Sequence, residues 1–157
     1  MDIRKATLKD SLLLSTLCMD VQLLHAEHHP GFFKEPQSPD FATSFFEKVL
    51  SEEAAFVFIA EENGNSLGYI FCNLVERPEN PFIFARRFLM IEQIAVQPQA
   101  QGRGVGASLM EQAEVTAREL GAERIELGSW DFNTNAHGFF ERIGYQKHHI
   151  KFWKVLN

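Results

Sequence analysis

The spacing of apolar positions changes along the chain between that of strands and that of helices. Residues 1–6 have the pattern of a short strand, and residues 7–10 (TLKD) then have the spacing of a capping box with Asp in place of Glu. A helix is predicted next, because four apolar residues recur on one face: Leu13, Leu17, Val21 and Leu24. The prolines and the glycine of residues 28–39 end that helix, and a second short helix is predicted over residues 40–50.

Strand patterns dominate the middle of the chain. Residues 54–76 are typical of a hairpin with its turn at 63–65, where Asn-Gly-Asn stands between strand-rich flanks. Residues 86–96 form another strand pattern, apolar on both faces apart from Glu92 and Gln93. We therefore expect this strand to lie at the centre of a sheet.

Helices and strands alternate in the last third of the chain. A helix is predicted over residues 105–120, a strand over 123–130 and a short helix over 135–143, and a glycine follows each helix as a stop signal. Residues 145–156 close the chain with further strand pattern. An exposed edge on these closing strands is a candidate for pairing across a homodimer.

The resulting order of elements is β-α-α-β-β-β-α-β-α-β. Three consecutive strands within an α/β alternation predict an α/β fold, of the α+β mixed-sheet type, with helices on both faces of the sheet. The 157 residues suffice for one domain with a full core, and neither a repeat nor a linker divides them. We expect a single domain over residues 1–157.

Composition and charge exclude several classes of function. The net charge of −6 argues against a nucleic-acid-binding protein, which needs a basic surface. No apolar run is long enough to span a bilayer and the first residues lack the pattern of a signal peptide, so we expect a cytoplasmic protein with no membrane partner. Cys18 and Cys72 lie far apart in sequence and are expected to be buried free thiols.

A glycine-rich loop connects the central strand to the helix that follows it. Gly102, Gly104 and Gly106 occupy alternate positions there, and Arg103 lies between the first two. Free N–H groups at the start of a helix, with glycines that allow a ligand to approach closely, form an anion site, most often for phosphate. The alternative is a tight turn that needs glycine for its shape alone.

Two common phosphate-binding motifs differ from this loop. The Walker A sequence does not occur in the chain. The dinucleotide pattern G-x-G-x-x-A is met by Gly102, Gly104 and Ala107, with Glu126 about twenty residues further on, and it would indicate a nicotinamide oxidoreductase. However, residues 97–101 separate the strand from the first glycine, and too little chain follows to complete a doubly wound domain.

Two longer motifs resemble those of a known family. The strand IEQIAV, a Q-x-x-G-x-G loop formed by Gln101, Gly104 and Gly106, and the helix after it are similar to the acyl-CoA-binding motif of the GNAT superfamily of N-acetyltransferases. The segment NTNAHGFFERIGY (133–145) is similar to the N-x-x-A-x-x-F-Y-x-x-x-G-F pattern of the same superfamily. The resemblance covers nearly the whole chain. A finer resemblance, to the small bacterial branch of the superfamily, is carried by the segment LLHAEHHPGFFK and the closing strands.

The resemblance implies an acetyl-CoA-dependent N-acetyltransferase. Its sheet would be mixed, mostly antiparallel, and splayed between strands 86–96 and 123–130. The acetyl group would pass directly from acetyl-CoA to a primary amine of a small molecule or peptide in a ternary complex, without a metal. A non-catalytic acyl-CoA-binding module is the alternative. It is motivated by Phe140, because many relatives have Tyr there and a phenyl ring cannot donate a proton to the leaving thiolate.

The same resemblance implies which residues would bind coenzyme A. The backbone of three residues in the central strand would pair with the pantetheine arm: Ile94, Ala95 and Val96. Backbone N–H groups of the loop would hold the pyrophosphate: Gln101, Gly102, Arg103, Gly104, Val105, Gly106 and Ala107. Asn133 would form a hydrogen bond to the pantetheine. The same channel would be lined by Ala136, Phe139 and Phe140.

Glu92 is the candidate general base. It alternates with apolar residues along the central strand, where desolvation would suit its carboxyl group to proton transfer, and the superfamily often places a base on this strand. Alternatively, Glu92 pairs with Arg86 or Arg87, or it is solvated where the sheet splays. The backbone N–H of Val96 or of a neighbour could polarise the thioester carbonyl.

The acceptor side is predicted around the end of the first helix. A metal site could be formed by His25, His28 and His29, but no cysteine or clear carboxylate completes it. Alternatively, these histidines line the acceptor pocket, or they form a solvated helix face. Asp131 could receive a cationic acceptor or cap the next helix. The Phe32-Phe33 pair is expected in the core.

Overall fold

In a computed structural model, which describes residues 1–156, five strands form one sheet. The strands lie side by side in chain order: β1 (Asp2–Lys5), β2 (Ala55–Glu62), β3 (Asn65–Arg77), β4 (Arg86–Val96) and β5 (Arg124–Leu127). The helices are α1 (Ser11–Leu17), α2 (Met19–His28), α3 (Thr43–Ser51), α4 (Val105–Glu119) and α5 (Thr134–Arg142). The hairpin, the central strand and the helices after it confirm the sequence predictions to within a few residues.

The sheet is mixed and mostly antiparallel, as expected. β1 to β4 pair antiparallel with their neighbours, and β4 pairs with β5 in parallel. That parallel pairing extends only from Phe88 opposite Arg124 to Ile91 opposite Leu127. Residues 92–96 of β4 therefore have β3 on one side and no strand on the other within residues 1–156, so the sheet splays at this point.

Helices cover both faces of the sheet. On one face, α4 buries Leu109, Met110 and Ala113 against apolar side chains of β3 and β4. On the other face, α1 and α3 bury Leu14 and Phe46 against β2 and β3. The apolar spacing of α1, α3 and α4 thus places one face of each on the sheet, which is the layered arrangement predicted from the element order.

An ionic network fixes the start of the chain. The carboxylate of Asp10 accepts a 2.7 Å hydrogen bond from the backbone N–H of Thr7, which confirms the capping-box spacing. The guanidinium of Arg4 donates to Asp10 at 2.7 Å and to Glu61 of β2 at 2.9 Å. The hydrogen bond from Arg4 lowers the pKa of Asp10 to about 2, so this carboxyl group is ionised in the folded protein at neutral pH.

The first predicted helix is two helices in the structure. α1 ends at Leu17 and α2 begins at Met19, with Cys18 between them. The Thr16 hydroxyl donates to the carbonyl of Leu12, a contact that tends to bend helices. Of the α2 side chains, only Ala26 is fully buried. Val21 still packs, partly buried, against the same core as α1, whereas Leu24 is exposed, so the predicted apolar face continues past Cys18 and is wrong only at Leu24.

Two strand predictions near the C-terminus are wrong in extent. The strand expected over residues 123–130 ends at Leu127, where β4 and β5 diverge. Residues 145–156 form no strand, although their sequence favours one. A strand requires a backbone partner, and residues 146–156 make no backbone hydrogen bond to any other part of the described chain.

Both cysteines are buried and free, as predicted. Burial raises the pKa of the Cys18 thiol to about 11 and that of Cys72 to about 12. Because the thiolate is the reactive form, these pKa values make both cysteines poor nucleophiles at neutral pH.

Candidate active site

The glycine loop between β4 and α4 presents a continuous run of free backbone donors. Within residues 1–156, none of the N–H groups of residues 102–107 donates a hydrogen bond, whereas Gln101 N–H donates to Pro98 and Ser108 N–H to Gly104. Gly102 and Gly104 have φ angles of 74° and 83°, a left-handed conformation that other residues adopt at a cost. The chain therefore needs glycine at these two positions to form the loop.

This run of donors favours an anion site over a simple turn. Any helix leaves its first few N–H groups without an internal partner. Here the glycines extend that run backward into the loop, at the end of α4 where the helix dipole is positive. The arrangement is suited to a phosphate or pyrophosphate.

Two side-chain contacts hold the loop in place. Arg103 forms an ion pair with Glu62 at the end of β2, so its charge is already partly neutralised by the protein. The side-chain amide of Gln101 donates to the carbonyl of Val96 at 3.3 Å, which links the loop to the end of β4. No spacing rule predicts the pair of Arg103 with Glu62, since these residues are far apart in the chain.

The loop packs against α5, which carries the second motif. A Cβ atom at Gly106 would lie 3.2 Å from the ring of Phe139, so glycine permits the close approach of α4 and α5. Asn133 caps α5 by accepting a hydrogen bond from the N–H of Ala136 at 3.3 Å. Its amide NH₂ remains available as a donor. The structure thus brings the predicted coenzyme-binding residues of both motifs to the same side of the sheet.

The splayed end of β4 offers a free strand edge beside this loop. Ile94, Ala95 and Val96 pair with β3 on one side only, and the chain then continues directly into the loop. The peptide groups on the open side can pair with an extended ligand in the way that they would pair with an added strand. An elongated molecule with an anionic end could contact this edge and the loop together.

Glu92 lies where β4 leaves β5. Phe71 of β3 is opposite Gln93 and Cys72 is opposite Ile91, so Glu92 is the extra residue of a β-bulge. Bulges redirect side chains and are frequent beside active sites. Glu92 is exposed, and its carboxylate accepts a 3.2 Å hydrogen bond from the amide of Asn73. The prediction that the Glu92 side chain is desolvated is therefore wrong. Its carboxylate is solvated at the point where the sheet splays.

Neither of the two arginines considered as partners pairs with Glu92. Arg87 forms an ion pair with Glu76 and donates to the carbonyl of Leu120 at 2.9 Å. The guanidinium of Arg86 lies 5.9 Å from the ring centroid of Phe88. The carboxylate of Glu92 is consequently not neutralised by either side chain.

The two tyrosines pack in the protein, and burial raises the pKa of both hydroxyl groups. The Tyr69 hydroxyl donates to the side-chain oxygen of Gln93 at 2.7 Å, and burial raises the pKa of Tyr69 well above its usual value. The Tyr145 ring lies 6.2 Å from that of Phe140, and burial raises its pKa to about 12. Phe140 also contacts Phe139, with ring centroids 5.3 Å apart, so its surroundings are apolar.

Aromatic rings gather around the end of α2 and the segment after β5. We call this group the aromatic patch; it comprises His25, His28, His29, Phe32, Phe33, Trp130, Phe132 and Trp153. Phe32 lies 5.2 Å from Trp130 and 6.0 Å from Trp153, measured between ring centroids. Phe32 is 60% exposed, so its predicted place in the core is wrong.

The histidines of the patch are held by carbonyl groups and rings. The Nδ1–H of His25 donates to the carbonyl of Val21 at 2.6 Å, and that of His28 to Leu24 at 2.9 Å. No group of three or more metal-ligating side chains occurs in the described residues, 1–156. Nε2 of His29 lies 3.8 Å from the carboxylate of Asp131. Asp131 itself is exposed and does not cap α5.

The patch borders the residues proposed for the coenzyme. Trp130, Phe132 and Asn133 lie on one short segment between β5 and α5, and the N–H of Asn133 donates to the carbonyl of Trp130 at 3.0 Å. Sequence reasoning identified the histidines and Asp131 but missed Phe132 and Trp153. The density of aromatic residues in 130–132 was a usable signal, whereas nothing in the sequence placed Trp153 here.

Comparison with known proteins defines the class. The profile of the acetyltransferase (GNAT) family matches residues 21–145. The uncharacterised N-acetyltransferase YhfO of Bacillus subtilis is 25% identical over 147 residues, which cover 94% of this chain and 91% of YhfO. An uncharacterised N-acetyltransferase of Methanocaldococcus jannaschii, MJ1207, is 28% identical over 116 residues, or 72% of this chain, and this match spans only about half (49%) of that protein.

A solved structure agrees with this assignment at the level of the fold. A mutant of the BH1408 protein of Bacillus halodurans superposes with a TM-score of 0.93 over 100% of both chains, at 24% sequence identity. The chain therefore belongs to the GNAT family of acetyltransferases, a family of acyltransferases, which confirms the resemblance drawn from the two motifs. The mostly antiparallel sheet also excludes the doubly wound fold of a dinucleotide-binding domain.

Proposed function

We propose that this chain is an acetyl-CoA-dependent N-acetyltransferase that transfers the acetyl group directly to a primary amine of a small molecule or peptide. One observation supports it above the others. The free N–H groups of residues 102–107, the open edge of β4 and Glu92 follow one another along a single segment of chain. A pyrophosphate, a pantetheine arm and a reacting thioester are arranged in the same order along acetyl-CoA.

The residues present fit the chemistry of coenzyme A. Six backbone donors at the start of α4 would hold its pyrophosphate, with Gln101 keeping the loop against β4. The edge formed by Ile94, Ala95 and Val96 would bind the amide groups of pantetheine, and the free NH₂ of Asn133 would add a hydrogen bond. Ala136, Phe139 and Phe140 would form the apolar wall of the same channel.

Proton transfer is the task proposed for Glu92. Bound acetyl-CoA would supply a thioester whose acetyl carbon forms a bond to the amine nitrogen while its bond to sulfur breaks. The acceptor amine must lose a proton to become nucleophilic, and Glu92 would take it directly or through a water molecule. Because Glu92 is exposed at the splay and held by Asn73, it can reach a substrate that enters between β4 and β5.

The aromatic patch is the proposed acceptor side. β5 ends at Leu127, opposite Ile91, and Trp130 follows three residues later, so the patch begins within about 10 Å along the strand direction from the level of Glu92. Faces of aromatic rings attract ammonium groups, and the carboxylate of Asp131 lies beside His29. Both features favour an acceptor that arrives as a cation.

A non-catalytic acyl-CoA-binding module is the second candidate. It is favoured by Phe140, because a phenyl ring has no hydroxyl group with which to protonate the leaving thiolate. In an active enzyme, water or the backbone dipoles near Val96 would stabilise that thiolate instead.

No helix within residues 1–156 has the length and apolar character needed to cross a membrane. The cytoplasmic location stays a prediction.

The proposal is tested by measuring release of the coenzyme A thiol from acetyl-CoA with a panel of amines. The panel should contain polyamines, aminoalkyl acids, aromatic amines, amino sugars and peptides with free N-termini, with mass spectrometry to identify the acetylated product. We expect turnover with at least one cationic amine. Binding of acetyl-CoA without turnover on any member would favour the binding module, and absence of both would contradict the proposal.

A further inference from the structure

Two arginines lie directly opposite each other where β3 ends and β4 begins. Arg77 pairs with Arg86 in the antiparallel register, so both side chains lie on the same face of the sheet. Like charges that are directly opposite in neighbouring strands destabilise a sheet. The pair therefore needs an explanation other than the stability of the strands.

The described part of the chain does not neutralise these two charges. Within residues 1–156, the arginines that form ion pairs are Arg4, Arg87, Arg103, Arg118 and Arg124. Neither Arg77 nor Arg86 is among them, and Nε of Arg86 is buried without a hydrogen-bond partner in residues 1–156. Buried donors in folded proteins are nearly always paired, so this N–H is suited to an acceptor atom from outside the chain.

An aromatic ring positions the guanidinium of Arg86. Its Cζ atom lies 5.9 Å from the ring centroid of Phe88, and Cζ of Arg124 on β5 lies 6.0 Å from the same ring. Contact with a ring holds a guanidinium without using its N–H groups, which can then bind an oxyanion through two parallel hydrogen bonds. Arg124 is already paired with Glu126, so the free charges here are those of Arg77 and Arg86.

A cleft of about 450 Å³ opens beside the two arginines. Its charged lining consists of Arg77, Arg86, Arg87, Glu76 and Glu123. Arg87 and Glu76 pair with each other, which leaves two free guanidinium groups and one carboxylate around the cleft. The free charge is therefore positive on balance, and the cleft is suited to an anionic group.

The face of the sheet that carries the two arginines also leads to Glu92. Since alternate residues of a strand share a face, this path is lined by Asn73 and Val75 of β3 and by Met90 and Phe88 of β4. Asn73, whose amide donates to Glu92, is four residues from Arg77, or about 13 Å along the strand. Neither helix-covered core of the protein includes the three apolar side chains of the path. An apolar floor thus connects the proposed base to the two cations.

We propose that Arg77 and Arg86 form an anion-binding subsite for the acceptor, which is a peptide with an acidic group about 13 Å from the amine that is acetylated. This inference rests on the proposed function, because it places the reacting amine at Glu92. An extended peptide advances about 3.3–3.6 Å per residue, so the acidic side chain is that of the fourth residue. The two guanidinium groups bind its carboxylate or phosphate, and the apolar floor contacts the residues between.

Peptide binding to the full chain tests the subsite without any activity measurement. The Nε–H signal of Arg86 in the NMR spectrum of the ¹⁵N-labelled protein is identified by its loss in Arg86→Lys. The labelled protein is titrated, with and without coenzyme A, with Ala-Ala-Ala-Glu-amide and with the uncharged control Ala-Ala-Ala-Gln-amide. We expect a saturable shift with the acidic peptide and a dissociation constant at least about fivefold higher for the control. No shift in either condition, or equal affinity for both peptides, would overturn the proposal.

Turnover with acetyl-CoA tests whether the subsite selects the acceptor. We expect kcat/KM to be at least about tenfold higher for the acidic peptide than for the uncharged one, against the net charge of −6 of the chain. A peptide with Glu at its second residue, Ala-Glu-Ala-Gln-amide, should resemble the uncharged peptide. Phosphoserine at the fourth residue distinguishes the two sources of the anion, because a higher kcat/KM than with Glu assigns the subsite to phosphate and a lower one to carboxylate.

The double variant Arg77→Gln with Arg86→Gln links this preference to the two arginines. It should bring the ratio of kcat/KM between the acidic and uncharged peptides close to one and leave the KM for acetyl-CoA unchanged. Arg118→Gln is the matched control, since Arg118 is an exposed arginine on α4, and it should keep the preference. An unchanged ratio in the double variant would overturn the proposal. Absence of turnover on every peptide would count against the proposed function, whereas the NMR titration would still decide on the subsite.

Two single variants separate a binding role from a structural one. Arg77→Gln removes one of two like charges, so the melting temperature should stay the same or rise, whereas loss of an arginine that stabilises the sheet would lower it. Glu123→Gln removes the free carboxylate from the cleft and should lower the dissociation constant of the acidic peptide about twofold or more. A lower melting temperature with unchanged peptide affinity in Arg77→Gln, or weaker peptide binding in Glu123→Gln, would contradict the proposal.

Discussion

The two sides of the candidate active site are built from different parts of the chain. The side proposed for acetyl-CoA consists of main-chain groups, namely the free N–H groups of residues 102–107 and the open edge of β4. The side proposed for the acceptor consists of side chains, among them Phe32, Trp130 and Trp153. Main-chain groups are the same in every sequence, whereas side chains are not. The first side therefore suits a ligand shared across a family, and the second suits an acceptor particular to this chain.

Glu92→Gln tests the residue that lies between the two sides and should have the largest effect. Removing a general base lowers kcat by about 100- to 10,000-fold, while the affinity for acetyl-CoA should change less than about twofold because the amide keeps the size and the contact with Asn73. Steady-state kinetics and calorimetry measure the two quantities. Glu111→Gln, an exposed carboxylate on α4, is the control. Unchanged turnover in the Glu92 variant would remove it from the mechanism.

Gly104→Ala tests the main-chain side and should have the next largest effect. Gly104 and Gly64 both have positive φ, and a Cβ atom at either would meet no atom within 4 Å, so alanine introduces the same kind of backbone strain at both. Each variant should lose about 1 kcal/mol of unfolding free energy. Only Gly104→Ala should weaken acetyl-CoA binding, by about tenfold or more, because it displaces hydrogen-bond donors. Equal affinity in the two variants would show that the loop is only a turn.

Trp130→Ala tests the side-chain half of the comparison. Losing one ring from a patch that binds a cation should raise the KM for the amine about five- to thirtyfold, and the dissociation constant of acetyl-CoA should stay the same. Phe84→Ala is the control, because Phe84 is exposed in the loop between β3 and β4. A change in acetyl-CoA affinity without a change in KM for the amine would reverse the assignment of the two sides.

Asp10→Asn provides a reference outside both sides and should have the smallest effect on function. Its carboxyl pKa is lowered from 3.8 to about 2, so the folded state binds this proton less readily than the unfolded state. The stabilisation is therefore present above about pH 4 and is lost as the pH falls toward 2. The variant should lose about 1–2 kcal/mol of unfolding free energy at pH 7, a figure reduced for the partial exposure of Arg4. Denaturant titrations at pH 7 and pH 2.5 measure this; an equal loss at both would contradict the ionic explanation.

The parts of the structure that follow from local rules were predictable from the sequence. The glycine loop is predictable because positive φ angles and close approaches select glycine at fixed positions, and these are properties of a few neighbouring residues. The same holds for β4, whose apolar pattern on both faces indicated a central strand. Residues 94–96 and 133–140 were assigned to the coenzyme through the family resemblance, and those roles remain predictions.

The parts that depend on distant partners were not predictable. The aromatic patch joins residues 25–33, 130–132 and Trp153, and no spacing rule connects them. Glu92 lies at a one-residue bulge against β3 and at the point where β5 leaves β4, and the alternation of apolar residues reveals neither feature. Residues 145–156 have the sequence of a strand, but pairing depends on a neighbouring edge that their pattern does not specify.

Calorimetric titration of the full chain with acetyl-CoA tests the central claim most directly, with NADH and ATP as controls. The account predicts saturable binding of acetyl-CoA at one site per chain and little or no binding of either control, because only acetyl-CoA combines a pyrophosphate for the loop with a pantetheine arm for the edge of β4. Absence of binding, or equal binding of all three compounds, would mean that residues 102–107 form a turn and that the likeness to acetyltransferases ends at the fold.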